Sequence, residues 1–202
     1  MNFLAHIVLS GDDGDILVGN FMGDFVKGSQ WKLLPEKVAQ GALLHRFIDF
    51  ETDVHPISIE LRTYLHPAVG KYASVALDML YDHLLATHFN RFVEPTLPDY
   101  AHEAYMRLEG KSSHMPAACQ FLFERMRADD WLTSYATYDG LENAMLRLER
   151  RIGRQVGFNH VREVFERENN RFINGFHLIF PELQRRCSEK IISFAQHGKG
   201  FN

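Results

Sequence analysis

The sequence has few cysteines, and none are paired at a redox or metal-binding spacing. Cys119 and Cys187 are the two cysteines among 202 residues, and each lies alone in a stretch with helical periodicity. The absence of a CxxC pair argues against a disulfide-stabilised fold. A chain of this length can bury most of its apolar surface without cross-links. We therefore expect any bound metal to serve chemistry and not to hold the fold together.

Long apolar runs and a positive charge balance are also missing. No stretch approaches the ~20 apolar residues that cross a bilayer. The N-terminal stretch MNFLAHIVLSGDD has no basic leader segment, and His6 interrupts its short apolar run. The net charge is −4 with histidine neutral, which is not typical of a nucleic-acid-binding protein. We expect a soluble cytoplasmic protein that binds neither membranes nor nucleic acids.

Several familiar catalytic motifs are absent as well. The sequence contains no GxSxG nucleophile elbow and no GxxxxGK[ST] phosphate loop. It also lacks HExxH, the signature of zinc peptidases. These absences argue against the hydrolases and nucleotide-binding proteins that carry those particular motifs, but they leave room for a site assembled from separate segments.

Helical periodicity covers most of the chain, and strand signals are few. The segment AHIVLSG is the exception, because it fits a short strand and the first turns of a helix equally well. No repeat or linker divides the chain, so we predict one all-α domain, a helical bundle spanning residues 1–202. Helices are predicted over 35–53, 70–93, 115–137 with a break near Asp129–Asp130, 138–153, and 158–200 with a division near Pro181.

The start and end of the fourth predicted helix can also be read from the sequence. Asp139 is the expected N-cap, with Glu142 three residues later in capping-box position. Gly153 is the expected stop.

Imidazole and carboxylate groups recur at helical spacing in the first half of the chain. His45 and Asp49 are four residues apart and share a helix face, as do Asp78 and Asp82, with His83 beside Asp82. A buried carboxylate is costly unless it is paired, and a divalent cation resolves the repulsion among several of them. The alternative is that both pairs lie on solvated faces, since HxxxD spacing alone is weakly specific.

The segment GNFMGDFVKG places Asp24 among apolar residues and leaves two interpretations open. Asp24 is either a solvated turn residue or an inward-facing site residue. Gly19 and Gly23 either allow close approach of the backbone to a ligand or mark ordinary turns.

Four segments, MNFLAH, GNFMGDFVKG, HRFIDFETD and LDMLYDHLL, occur in an order and at a spacing that resemble the acyl carrier protein phosphodiesterase family. The resemblance extends over essentially the whole chain and is strongest in residues 1–93. It implies an all-helical fold that is a divergent branch of the HD-domain metal-dependent phosphohydrolases. It also implies removal of 4′-phosphopantetheine from the serine of holo-acyl carrier protein, with manganese or magnesium as the metal.

The resemblance also assigns roles to residues of this chain. The sequence departs from the usual HD pattern, because Arg46 and not an aspartate follows His45. Asp24 and His6 or His83 would act in catalysis, the histidine by protonating the leaving serine oxygen, and Lys27 and Arg46 would stabilise charge on the phosphate. The implied metal ligands are Asp24, His45, Asp49, Asp82 and His83.

A protein substrate of this family is acidic, so an acidic enzyme would need a local basic surface to bind it. Two segments of the second half supply arginines, and the alternative is that these pair with Glu142 and Glu149 on a solvated helix face. Two other functions remain open: a phosphohydrolase of a small phosphoester or nucleotide, and a helical binding module without catalysis. The arginines are Arg125, Arg127, Arg147, Arg150, Arg151 and Arg154.

Overall fold

The chain is helical from its third residue onward in the computed structural model, which describes residues 1–197. The ambiguous segment AHIVLSG lies largely in helix α1, so its helical interpretation is correct. Residues 1–197 contain eleven α-helices and no strand, which confirms the predicted all-α class. The predicted domain 1–202 includes residues 198–202, which lie outside the described residues, and its extent stays a prediction.

The helices enclose one hydrophobic core, and each α-helix contributes buried side chains to it. Short 3₁₀ turns join several of the helices. The α-helices are α1 (Phe3–Val8), α2 (Gly14–Phe21), α3 (Glu36–Val54), α4 (Pro56–Val69), α5 (Ala73–Thr87), α6 (Leu97–Glu109), α7 (Ala117–Ala128), α8 (Trp131–Ser134), α9 (Tyr138–Ile152), α10 (Val161–Arg167) and α11 (Asn169–His197).

Two predicted helix boundaries are confirmed. The break at Asp129–Asp130 separates α7 from α8, and Asp130 has a φ of 43° that no helix interior accommodates. Helix α9 ends before Gly153, whose φ of 78° is the left-handed conformation that glycine adopts at little cost.

Two other predicted boundaries are wrong. Asp139 lies inside the first turn of α9, and the N-cap is Thr137, whose hydroxyl accepts the N–H of Gly140 at 3.0 Å. Pro181 does not divide the last segment, since it lies within α11, and the division falls at Glu168. Burial of Phe180 and its neighbours in the core outweighs the backbone hydrogen bond that a proline removes.

Helices α2 and α3 cross with almost no side-chain atoms between them. A Cβ on Gly19 would lie 2.1 Å from the carbonyl oxygen of Val38, and one on Gly41 would lie 2.2 Å from that of Ile16. Neither of the two sequence interpretations of Gly19 is right, because the glycine brings two backbones together inside the fold. This close crossing fixes Asn20 of α2 relative to the middle of α3.

Helix α1 is anchored to α5 through a buried carboxylate. Asp82 accepts the backbone N–H groups of Asn2, Leu4 and Ala5 at 3.3, 2.8 and 3.1 Å. These are donors that a helix N-terminus leaves without intrahelical partners. The contact therefore fixes the helix that carries His6.

Candidate metal centre and active site

Two imidazoles from distant parts of the chain stack inside the fold. The rings of His6 on α1 and His45 on α3 have centroids 4.1 Å apart and planes inclined by 20°. Both residues are buried. The His45 ring fills the space above Gly23, where a Cβ would lie 2.2 Å from its Cγ. Gly23 is thus neither an ordinary turn glycine nor a ligand contact, but the residue that leaves room for this imidazole.

Asn20 orients both rings. Its side-chain oxygen is 2.8 Å from Nδ1 of His6, and its backbone carbonyl oxygen is 2.9 Å from Nδ1 of His45. The Asn20 amide donates to the carbonyl oxygen of His6 and to the hydroxyl of Ser10, so its own oxygen is free to accept. Each Nδ1 therefore carries a proton, and a ring in the neutral form presents the lone pair of Nε2.

Both Nε2 atoms face carboxylate oxygens. Nε2 of His6 is 3.1 Å from Asp49, and Nε2 of His45 is 3.3 Å from Asp49 and 3.6 Å from Asp24. His6, His45 and Asp49 each offer a ligand atom, and these atoms all lie within 4.8 Å of one another. With neutral rings, lone pairs thus face anionic oxygens without a proton between them, an arrangement that a cation satisfies.

The protonation equilibria agree with this description. Burial lowers the pKa of His6, and neighbouring His45 lowers it further, so His6 favours the neutral form. Burial alone would raise the pKa of Asp49, but the hydrogen bond that protonated His6 donates to it and the other positive charges around it lower the value to about 2. The ionised form of Asp49 is therefore stabilised by positive charge beside it. Protonated His6 supplies part of that charge at low pH, and a divalent cation can supply it when the His6 ring is neutral.

Asp24 is exposed at this site and not buried in it. It lies in the 3₁₀ turn Gly23–Phe25, and 65% of its side chain is accessible. The interaction with His45 lowers the pKa of Asp24 against the smaller opposing effect of desolvation, so the carboxylate is ionised at neutral pH. Both sequence interpretations hold a part of the answer, since Asp24 is a turn residue that reaches a buried histidine.

The histidine–aspartate cluster opens into a cleft with a volume of about 530 Å³. Helices α1, α3, α5, α8 and α9 contribute to its walls. The other polar and charged residues that line it are Met1 through its ammonium group, Asn2, Asp53, Ser74, Asp78, Tyr135, Arg147 and Arg151.

Arg46 and Lys27 do not line this cleft. Arg46 donates to the carbonyl oxygens of Val26 and Gly28 at 3.0 and 2.7 Å, so it holds the chain that follows Asp24. Lys27 is exposed, and its backbone N–H is bound by a neighbouring glutamine. Their expected role in binding phosphate stays a prediction without a contact in the cleft to support it.

Asp82 and His83 do not join the cluster either. Burial raises the pKa of Asp82 to about 7 against the opposing effect of its backbone hydrogen bonds. Nδ1 of His83 lies 2.7 Å from the carbonyl oxygen of Tyr135, and the ring packs against Tyr138 and Phe165. His83 lines a separate cavity of about 430 Å³. The five predicted ligands therefore divide into a group of three near His6 and a pair elsewhere.

Sequence reasoning missed Asn20, named Asp78 only as part of a helical carboxylate pair, and named Arg147 and Arg151 only as part of a basic surface. A signal existed for Asn20, because an amide inside the apolar run LVGNF needs buried partners. Asp78 accepts the N-terminal ammonium at 2.8 Å and lines the cleft. The two arginines come from α9, far along the chain, and no local pattern marks them as neighbours of the cluster.

The fold and the site together define a class: an all-helical protein with two oriented imidazoles and ionised carboxylates that could hold a divalent metal ion. The donor set of nitrogen and oxygen atoms fits such an ion. Within residues 1–197, no helix has the length and apolarity required to cross a membrane.

The chain belongs to the acyl carrier protein phosphodiesterase family, whose model matches residues 1–183. It is 29% identical to the acyl carrier protein phosphodiesterase of Yersinia pestis, over 95% of this chain and 100% of that one. A protein of the same name from Photorhabdus laumondii is also 29% identical, over 94% of this chain and 96% of the other.

A third relative with this name, from Yersinia enterocolitica, is 35% identical over 67% of this chain and 71% of its own length. No solved structure matches the chain.

Proposed function

We propose that this protein hydrolyses the phosphodiester bond that joins 4′-phosphopantetheine to the serine of holo-acyl carrier protein. The products are apo-acyl carrier protein and free phosphopantetheine. The observation that carries the proposal is the convergence of His6, His45 and Asp49 at the cleft, with donor atoms within 4.8 Å, in a chain of this family. A cytoplasmic location, where such a carrier would be met, is part of the proposal.

His6, His45 and Asp49 would hold a manganese or magnesium ion, and Asp24 is near enough to contribute an oxygen ligand. Such an ion supplies an activated water and neutralises charge on the phosphate when it is bound. Asn20 would orient these ligands, since its contacts with both Nδ1 atoms direct the Nε2 atoms of the two rings toward Asp49.

The chain's own groups provide the remaining chemistry. Asp24 is ionised and exposed, so it can accept a hydrogen bond from the attacking water and orient it. His6 is committed to Asn20 and Asp49, which favours a ligand role for this residue over that of proton donor to the leaving serine. Asp82, which binds the N-terminus of α1, is assigned to positioning His6 and not to coordination.

A basic surface beside the cleft suits an acidic protein substrate. The alternative pairing of its arginines with two glutamates has no support, since Glu142 binds Arg162 and the carboxylate of Glu149 accepts backbone N–H groups. Arg125, Arg150 and Arg154 are exposed. The exposed side chains of Phe121 and Leu146 lie on the same helices, α7 and α9, and could supply apolar contact to the carrier.

The test is incubation of the purified protein with holo-acyl carrier protein and manganese, followed by mass measurement of the carrier. We expect the carrier to lose one phosphopantetheine. Asp49→Ala and Asp24→Ala should each lower the rate at least about a hundredfold while circular dichroism shows unchanged helix content. Asp12→Ala, which removes an exposed carboxylate outside the cleft, is the matched control.

Two outcomes would replace the proposal with another function. Turnover of a generic small phosphodiester without turnover of the carrier would favour a small-molecule phosphohydrolase. Failure to bind manganese in a calorimetric titration, together with no turnover of either substrate, would favour a helical binding module.

A further inference from the structure

Among the described residues, two arginine side chains line the cleft, and both come from α9. Arg147 and Arg151 are four residues apart, so they project from the same face of the helix. The cleft that they line is the one that contains His6, His45 and Asp49. The remaining cation, the ammonium group of Met1, is already paired with Asp78 at 2.8 Å.

Arg147 is held in place but has no anion. Its guanidinium carbon lies 4.0 Å from the centre of the Trp131 ring, within the range of a cation–π contact. Its Nη2 atom is buried and has no hydrogen-bond partner in the described residues. Neither Arg147 nor Arg151 has a carboxylate within 4.0 Å among those residues, although Glu142 of the same helix is paired with Arg162.

An arginine in this state is costly for the free protein. Burial lowers the pKa of Arg147, which reports that its charge is partly desolvated. A buried N–H donor without an acceptor forfeits its hydrogen bonds to water. An anion that enters the cleft beside the guanidinium would relieve both costs.

We propose that Arg147, assisted by Arg151, forms a phosphate-binding subsite of the cleft that takes the phosphoryl group of a phosphoester. A planar guanidinium can donate two parallel hydrogen bonds to two phosphate oxygens, which an ammonium group cannot do. The assignment separates these two arginines, which line the cleft, from Arg150 and Arg154, which do not line it and remain available for contact with a protein. It rests on the proposed function for the identity of the phosphoester.

Binding of inorganic phosphate tests the subsite without turnover or metal. The chain has two tryptophans, so a Trp31→Phe background leaves Trp131 as the single reporter beside Arg147. Phosphate is titrated with a chelator present and ionic strength held constant with chloride. We expect a saturable change in Trp131 emission, and Arg147→Gln should weaken phosphate binding roughly tenfold or more.

Two further variants sharpen the test. Arg147→Lys keeps the charge but loses the planar fork, so its affinity should fall between those of Arg147→Gln and the parent. Arg150→Gln removes the same charge from the exposed face of the same helix, and it should change affinity by less than about twofold. Calorimetry repeats the titration in the Trp31-containing protein, because substitution of Arg147 alters the surroundings of Trp131 directly. Thermal unfolding verifies that each variant is folded.

The subsite is overturned if the parent binds no phosphate saturably, if folded Arg147→Gln binds it like the parent, or if Arg150→Gln weakens it equally. These outcomes are distinct from failure of the proposed function. Phosphate binding through Arg147 in a protein that leaves holo-acyl carrier protein intact would retain the subsite and reject that substrate. Normal kcat and KM for the carrier in Arg147→Gln would retain the activity and reject the subsite.

Discussion

Asn20 is the residue on which the orientation of both imidazoles depends. Its side-chain oxygen binds His6, whereas its backbone oxygen binds His45, so substitution of the side chain releases the first ring alone. We expect Asn20→Ala to lower the affinity for manganese about 10- to 100-fold, as loss of a hydrogen bond behind a metal ligand does. Calorimetric titration measures this.

Ser10→Ala is the control, because it removes a partner of the Asn20 amide without touching either imidazole. Manganese affinity that is unchanged in Asn20→Ala would show that the packing around His6 is sufficient to orient the ring.

Asp82 makes the stability of the fold depend on pH in a direction unusual for a carboxylate. Burial raises its folded-state pKa to about 7, above its unfolded value, so the unfolded state releases the proton first as pH rises. The contribution of Asp82 to stability should therefore be fully present below about pH 4 and decline toward pH 7, by on the order of 1–3 kcal/mol.

Chemical denaturation at a series of pH values measures this effect. The Asp82→Asn variant should show a flatter profile between pH 4 and 7, even though its overall stability is lower. A wild-type contribution that rises with pH through this window would instead mean that Asp82 is ionised in the folded protein.

At the scale of elements, the crossing of α2 and α3 links packing to the site. A Cβ at Gly19 would meet the backbone of α3 at 2.1 Å, so Gly19→Ala must separate the helices that carry Asn20 and His45. We expect a loss of about 1–3 kcal/mol in unfolding free energy and weaker manganese binding. Denaturant unfolding and metal titration measure the two effects.

Gly110→Ala is the matched control, since a Cβ there meets its nearest atoms at an ordinary 3.6 Å. If Gly19→Ala is no more damaging than Gly110→Ala, the close crossing does not position the site.

The sequence predicted the elements well where their signals are local and less well where distant contacts decide. Gly153 ends α9 as expected, because a left-handed residue is a local requirement. The continuation of α11 through Pro181 could not be predicted, since core burial along the helix outweighs the missing backbone hydrogen bond. Asp139 was misplaced because Thr137, two residues earlier, offers an equally suitable cap.

The same distinction applies to the candidate site. His45 and Asp49 share a helix face, so their proximity follows from spacing alone. The proximity of His6 and Asp24 to them was implied by the family resemblance, and the arrangement through Asn20 needed coordinates. The same spacing argument paired Asp78 with Asp82, yet α5 directs Asp82 to the N-terminus of α1 and the adjacent His83 to a second cavity.

At the scale of the whole molecule, an acidic chain carries exposed arginines on and just after α9, a helix that contributes to the wall of the cleft. The net charge is −4, so long-range attraction to an acidic carrier depends on the local arginines and not on the total. We expect KM for holo-acyl carrier protein to rise with salt concentration and kcat to change little, because salt screens encounter between charged surfaces. Steady-state kinetics at several salt concentrations measure this.

The paired variant Arg150→Gln with Arg154→Gln should raise KM at low salt and flatten its salt dependence. Turnover of a small phosphodiester with an uncharged leaving group serves as the control, since such a substrate needs no docking surface. A carrier KM indifferent to salt would point to apolar contacts through residues such as Phe121 as the main mode of recognition.

The stacked pair of imidazoles carries a thermodynamic consequence. Since Asn20 and the space above Gly23 already hold both rings in register, capture of an ion should require little ordering of the protein. Metal binding should then leave the heat capacity of the protein and the hydrogen exchange of α1 and α3 nearly unchanged. Little of the free energy of coordination would be spent on ordering the protein, so almost all of it would contribute to the metal affinity.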